Sequence, residues 1–365
     1  MKKRPSPKVW LKSAPRRLSW LFLLLFLPLF ANVACNVPPQ LFSSIEPLPT
    51  LAPTLALLPQ PPTPLLTPTA AVYTATPDAT PTAVPPTPIP TDTPLPTATA
   101  VPSYHLILDP SQPQSYLTQF RLVAFYGSPT GPGLGILGEL PRDQMHAQLL
   151  TTIAEYEPLS DRLILPAYHL VTTVANPHPP GYHHHVSLAL IEQWVAEAKE
   201  LETAVILDIQ PGYADLLTEF GRVENLLYEP HVHLAIDPEF TMQGGQIPGV
   251  NVGQLYAAQI NQIQARLNEI GAAIGLNRVL ILHQFLPSML PDKASIEEYP
   301  FVEIVIDGDG VGPAGVKIYN YTTYASEPAF EFGGFKLFPT DGDYPILSPA
   351  EVMNLAPQPV LIIYQ

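Results

Sequence analysis

The sequence predicts an α/β fold, a (β/α)8 barrel of the TIM type, and three observations carry that expectation. Eight apolar, β-rich runs divide the chain from position 122 onward. Amphipathic stretches with helical spacing separate them, and strand alternating with helix is the pattern of a parallel sheet closed by crossovers. The eighth run lies at the C-terminus, where it can close against the first.

The eight runs are 122–126, 163–169, 204–210, 232–239, 279–284, 302–309, 334–338 and 360–364. After the first, 143–159 carries Leu149, Leu150, Ile153 and Tyr156 at helical intervals. The segment 187–201 opens on Ser187 as a cap and gathers Leu190, Ile191, Trp194, Val195 and Ala198 on one side. A third helix is expected over 213–227, with Leu216, Phe220 and Val223 toward the barrel. The longest, 252–274, carries Tyr256, Ile260, Ile263, Leu267 and Ile270 and stops at Gly275. Helical signals are weaker over 287–299 and 313–324, and 349–355 supplies a short last helix. No G-x-G-x-x-G opens a helix, which counts against an open dinucleotide-binding sheet, and no cofactor is expected. Long loops at 128–142, 175–186 and 241–250 follow the first, second and fourth runs, on the face where barrel loops shape pockets.

Composition divides the chain at 1–35, 36–103 and 104–365. Lys2, Lys3, Arg4, Lys8, Lys12, Arg16 and Arg17 precede an apolar stretch at 18–31, too short to span a bilayer comfortably. Ala31-Asn32-Val33-Ala34-Cys35 follows, and resembles a bacterial lipoprotein signal in which the cysteine becomes lipidated; Asn32 stands where leucine is usual. A simple secretory signal or an uncleaved anchor are the other readings. All three take the chain out of the cytoplasm, and lipidation at Cys35 would tether it to a membrane. Positions 36–103 form a Pro/Thr tract, which builds neither helix nor sheet and extends at about 3.1 Å per residue. Cys35 is the one cysteine, so the barrel contains no disulfide. From position 104 onward ten cationic side chains face 29 carboxylates, a formal charge of −19. Such a field repels phosphate backbones and argues against nucleic acid as a partner, while neutral glycans remain compatible.

The ends of the runs carry the polar residues, and barrel chemistry gathers at strand C-termini. The fourth run ends Asp237-Pro238-Glu239, which on an extended strand puts two carboxylates on one face with Cα atoms about 6.5 Å apart. Paired carboxylates raise each other's proton affinity, so Glu239 is the candidate general acid with Asp237 supporting it. The alternative is a loop-capping Asp237 and a solvated Glu239. Asp208 and Gln210 share a face on the third run, and Asp307 ends the sixth. Asp309, between Gly308 and Gly310, reads as a turn residue. Only one of His283 and Gln284 can face inward, and the pattern leaves both open. Tyr126, His169, Gln210, Lys336 and Tyr364 complete the candidate substrate contacts. Tyr126, Tyr182, Phe240, Phe285, Phe338 and Tyr364 offer an aromatic lining. The run His183–His185 suggests metal, but consecutive residues diverge and no metal is expected there.

Ala124-Phe125-Tyr126-Gly127, Gly133–Glu139, Asp208–Gly212, Asp237-Pro238-Glu239, His283-Gln284-Phe285 and Asp307-Gly308-Asp309-Gly310 together resemble a group of uncharacterised exported bacterial proteins and lipoproteins. A looser likeness is to barrel glycoside hydrolases. Chitinase-like enzymes carry D-x-x-D-x-D-x-E at this strand; Asp237 and Glu239 match its last two positions, while Val232 and Ala235 replace the others. In the other large barrel group a strand-seven carboxylate is the nucleophile, and here that strand offers Lys336. Three functions follow: a glycosidase acting on extracellular or cell-wall polysaccharide with Glu239 as acid, a barrel that binds such glycans without cutting, or a metal-dependent hydrolase. The last would draw on His169, Asp208, Asp237, Glu239, His283 and Asp307.

Overall fold

The computed structural model of the protein describes residues 106–365, apart from 107 and 110, so the expectations at 1–103, Cys35 included, lie outside the described residues. Strands β1 (Phe120–Gly127), β2 (Leu163–Ala175), β4 (Ala204–Ile209), β5 (Val232–Ile236), β6 (Arg278–Gln284), β7 (Val302–Gly308), β8 (Phe332–Leu337) and β9 (Leu361–Tyr364) run parallel. They pair in chain order, and β1 bonds both β2 and β9, which closes an eight-stranded barrel. A ninth short strand, β3 (His183–His185), folds back antiparallel onto the end of β2. The loop expected over 175–186 is therefore in part a hairpin.

The register around the barrel sets one inward row. Leu122, Leu165 and Leu361 align, as do Ala124, Ala167 and Ile363, and one step higher Tyr126 meets His169. Further round, Asp208 aligns with Ala235, Ala235 with Ile281, His283 with Asp307, and Asp307 with Gly334. Because strand side chains alternate, the polar residues two places above the aliphatic layer all enter the same end. The layers beneath are fully buried aliphatic residues, each stabilising the fold by about 1.5–3 kcal/mol.

Helices α1 (Arg142–Tyr156), α2 (Leu188–Glu200), α3 (Leu216–Val223), α4 (Ala257–Ile274), α5 (Ala314–Tyr324) and α6 (Pro349–Met353) occupy every crossover but that from β6 to β7. Gly275 ends α4 with φ 73°, the left-handed geometry glycine tolerates. Ser187 precedes α2 without a side-chain cap bond, whereas Asp215 caps α3 by accepting from the Thr218 N–H. The segment 287–299 folds into two 3-10 turns instead of a helix, and 313–324 is helical from Ala314. Among the described residues no helix is long and apolar enough to cross a membrane.

The N-terminal end of the barrel is sealed by charge-assisted bonds. Arg278, fully buried, donates to the carbonyls of Leu227, Glu229, Pro230 and Val232. Glu303 accepts from the N–H groups of Tyr116 and Leu117. His231 and His233 belong to this end, against the Val195 carbonyl and the Tyr116 ring.

Candidate active site

At the opposite end, buried polar groups converge. His169 Nε2 lies 3.2 Å from Asp208 Oδ2, and His283 Nε2 lies 3.5 Å from the same oxygen. His283 Nδ1 lies 2.9 Å from Asp307 Oδ2 and 3.4 Å from Asp309 Oδ2. Lys336 Nζ lies 3.0 Å from Asp309 Oδ1 and 3.8 Å from the centre of the Tyr126 ring. Gln210 donates to the Tyr126 hydroxyl at 3.0 Å while its carbonyl accepts from the Ala175 N–H, so the ring is held between amide and ammonium.

Proton affinities diverge across this cluster. Burial lowers His169 to about 4, and it is neutral at pH 7. To bond Asp208, its proton must sit on Nε2, which leaves Nδ1 without a partner. Burial opposes a charge on His283 too, but hydrogen bonds to Asp208 and Asp307 outweigh it and hold the imidazolium well above the ordinary range. Burial likewise opposes ionisation of Asp208, yet the bonds from His169 and His283 hold its carboxyl below the usual range. Asp237 goes the other way: burial, then the charge of Glu239, push it well up. Glu239 is pushed up to about 7 by burial and by Asp309, with Lys336 and His283 pulling back. The cluster thus separates fixed charges (Asp208, His283, Lys336) from carboxyls that keep protons near neutrality.

A pocket of about 410 Å³ opens above it, lined by Tyr126, Gln210, Asp237, Glu239, Asp309 and Lys336. That is within the roughly 300–1,000 Å³ of small-ligand pockets. Phe240, Phe285 and Phe338 supply aromatic walls, with Leu134, Asn320 and Gln365 between them. A larger cleft of about 640 Å³ lies at the N-terminal end beside Glu297, Tyr299 and Glu331, away from the face where barrel strands deliver catalytic groups.

Several sequence expectations need correction. The ladder ends at Ile236 and, after a still extended Asp237, Pro238–Phe240 forms a 3-10 turn, so Asp237 and Glu239 are not alternate residues of one strand. Proline cannot donate to the ladder, and the turn, not the pleat, aims Glu239 at the pocket. Asp309 is no solvated turn residue; it is buried, paired with Lys336 and close to His283. His283 faces inward, and Gln284, one residue on, donates to the Leu286 carbonyl. Tyr364 lies on the outer face, its hydroxyl 2.7 Å from that of Tyr156 on α1; its neighbour Gln365 reaches the pocket instead. Tyr182 packs against Tyr213 with the rings tilted by 49°.

No family model matches the chain. No curated protein matches it either. Among solved structures, the chain is similar to the catalytic module of a family 98 glycoside hydrolase from Streptococcus pneumoniae TIGR4. In the complex of that module with the H-disaccharide blood group antigen, identity is 11% and the TM-score 0.34, over 60% of this chain and 37% of that one. In its complex with the LewisY pentasaccharide the values are 12% and 0.31, over 64% and 38%. The chain thus spans less than two-fifths of the length of these relatives. At such scores neither likeness bears on the reaction, which must be read from the site.

Proposed function

We propose that the protein is an exported, surface-tethered glycoside-hydrolase-like barrel that cuts extracellular or cell-wall polysaccharide, with Glu239 as general acid. The observation that carries this reading is a carboxyl held near pH 7 at the rim of an aromatic-walled pocket, beside a carboxylate fixed by Lys336. Glycosidic cleavage needs one carboxylic acid to protonate the leaving oxygen and a second, ionised group to support water or the developing positive charge. Glu239 takes the first role. Asp309, whose carboxyl burial raises while Lys336 and His283 pull it back toward the ionised form, takes the second; Asp237 tunes Glu239, and Asp208 and Asp307 fix His283 beneath. The aromatic rings stack on sugar faces. Glu239→Gln tests the assignment: it should retain glycan on an affinity gel and release no product. Activity equal to wild type would remove Glu239 from the role.

One observation favours a second reading, a metal-dependent hydrolase. His169, Asp208 and His283 bring one ligand atom each within 4.8 Å of one another, and Asp208 Oδ1 and His169 Nδ1 are buried without partners. A metal held there would polarise a substrate oxygen or a bound water. Abolition of activity by a chelator, with recovery on adding Zn²⁺ or Mn²⁺, would establish it. Retention of glycan without cleavage by the wild type would instead make the barrel a binding protein.

A further inference from the structure

We propose a divalent-metal site of the zinc type, separate from the barrel mouth, formed by His183, His185 and Glu219. The alternation of β3 puts His183 and His185 on one side, with ring centres 5.0 Å apart, and sends His184 to the other. Glu219, on the first turn of α3, meets them from below and is only 3% exposed. His185 Nε2 lies 3.1 Å and 2.9 Å from the two Glu219 oxygens, and His183 Nε2 lies 4.0 Å from Oε1. Zinc holds nitrogen and oxygen ligands at about 2.0–2.2 Å, so tetrahedral neighbours sit about 3.3 Å apart. The observed separations bracket that spacing.

The surroundings orient the ligands as a metal site requires. His183 Nδ1 lies 2.9 Å from the Gly181 carbonyl, so Nδ1 carries the proton and Nε2 presents its lone pair to the cluster. A Cβ on Gly181 would come within 2.8 Å of that ring, so the position is shaped to hold it. Glu219 Oε2 accepts from the Thr173 hydroxyl at 2.7 Å, faces Arg222 at 3.4 Å and lies 2.9 Å from His185 Nε2, while Oε1 is the oxygen that faces both imidazoles, at 3.1 Å from His185 and 4.0 Å from His183. Thr173 itself is aimed by the register shift in β2 between Val171 and Thr173. His185, 40% exposed, leaves one side open for water as the fourth ligand.

The metal would staple the β3 hairpin to α3. His183 pairs with Ala175, whose N–H holds the Gln210 side chain that in turn holds Tyr126. Its site therefore borders the wall of the pocket without belonging to it.

The test is titration of the chelator-stripped full chain with Zn²⁺ by calorimetry and with Co²⁺ by visible absorption. The wild type and His184→Ala should each take up one equivalent at this site, with the bands of a low-coordinate cobalt centre. His183→Ala and His185→Ala should lose that equivalent or bind it at least about tenfold more weakly. Because His185 is half exposed, its removal leaves the core intact. His169→Gln, in the barrel mouth, should keep the equivalent. Equal uptake by His185→Ala and wild type, loss in His169→Gln instead, or no uptake by the wild type would each overturn the proposal.

Discussion

Lys336 on β8 meets Asp309, which follows the neighbouring strand β7, with Nζ 3.0 Å from Oδ1, and in doing so lies over the face of the Tyr126 ring. Both partners are almost wholly buried, so neither charge has water to fall back on. The pair positions the one ammonium of the pocket opposite Glu239, whose proton affinity it holds down. Charge at this mouth is therefore set jointly by groups at the ends of β4, β5, β6, β7 and β8, and not by any single motif.

Lys336→Met removes one partner of a buried pair and should destabilise the fold by about 3–5 kcal/mol in denaturant unfolding. It also removes a cation that lowers the Glu239 pKa, so the basic limb of any pH–activity profile should move to higher pH. An unmoved limb would show that Glu239 does not feel this charge.

Glu239 itself predicts a basic limb near pH 7. A carboxyl pKa raised from 4.5 to about 7 means that the folded state holds the proton more tightly. Its contribution to stability is complete below about pH 4.5 and is lost as pH rises through about 7. A reaction that consumes that proton loses kcat/KM over the same upper limb. The pH profile of kcat/KM checks this, and Glu239→Gln should abolish the activity together with the limb.

His283→Gln should cost about 3–5 kcal/mol, because Asp208 and Asp307 would keep their burial and lose their cation. The folded pKa of His283 is raised, so its stabilisation is complete below the unfolded value of about 6.5 and fades as pH rises through the folded one. The difference between wild type and variant should thus be full at pH 6 and shrink in strongly alkaline buffer. Unfolding curves at several pH values read it directly.

That Tyr126, His169, Asp208 and Lys336 stand at the C-terminal ends of barrel strands was legible because the apolar runs end in polar residues; their register across the sheet was not. Parity failed where strand geometry stopped. Pro238 turns the chain before Glu239, so alternate spacing gave the right pocket for the wrong reason. Asp309 was hidden by its flanking glycines, which read as a turn until Lys336, 27 positions away, is brought beside it. Tyr364 was misplaced because Leu361–Tyr364 is apolar on both faces, and such a run carries no phase. The pairing of His183 with His185 was hidden because a three-residue strand leaves no periodic signal, and Glu219 lies on another element altogether.

Gly334 gives a prediction about close approach. A Cβ there would lie 2.7 Å from Asp307 Oδ1 and 3.1 Å from its backbone, across the β7–β8 pairing. Gly334→Ala should push the Asp307 carboxylate away from His283, destabilise the barrel by about 1–3 kcal/mol, and depress turnover more than glycan binding. Unfolding curves and paired kcat and KM values separate the two effects.

The most direct test is to incubate the full chain with a panel of polysaccharides and peptidoglycan at about pH 6, below the Glu239 limb, and to measure new reducing ends against Glu239→Gln. Release by the wild type alone is expected, with the variant still retaining the glycan. No release from any substrate, or equal release by both proteins, would contradict it.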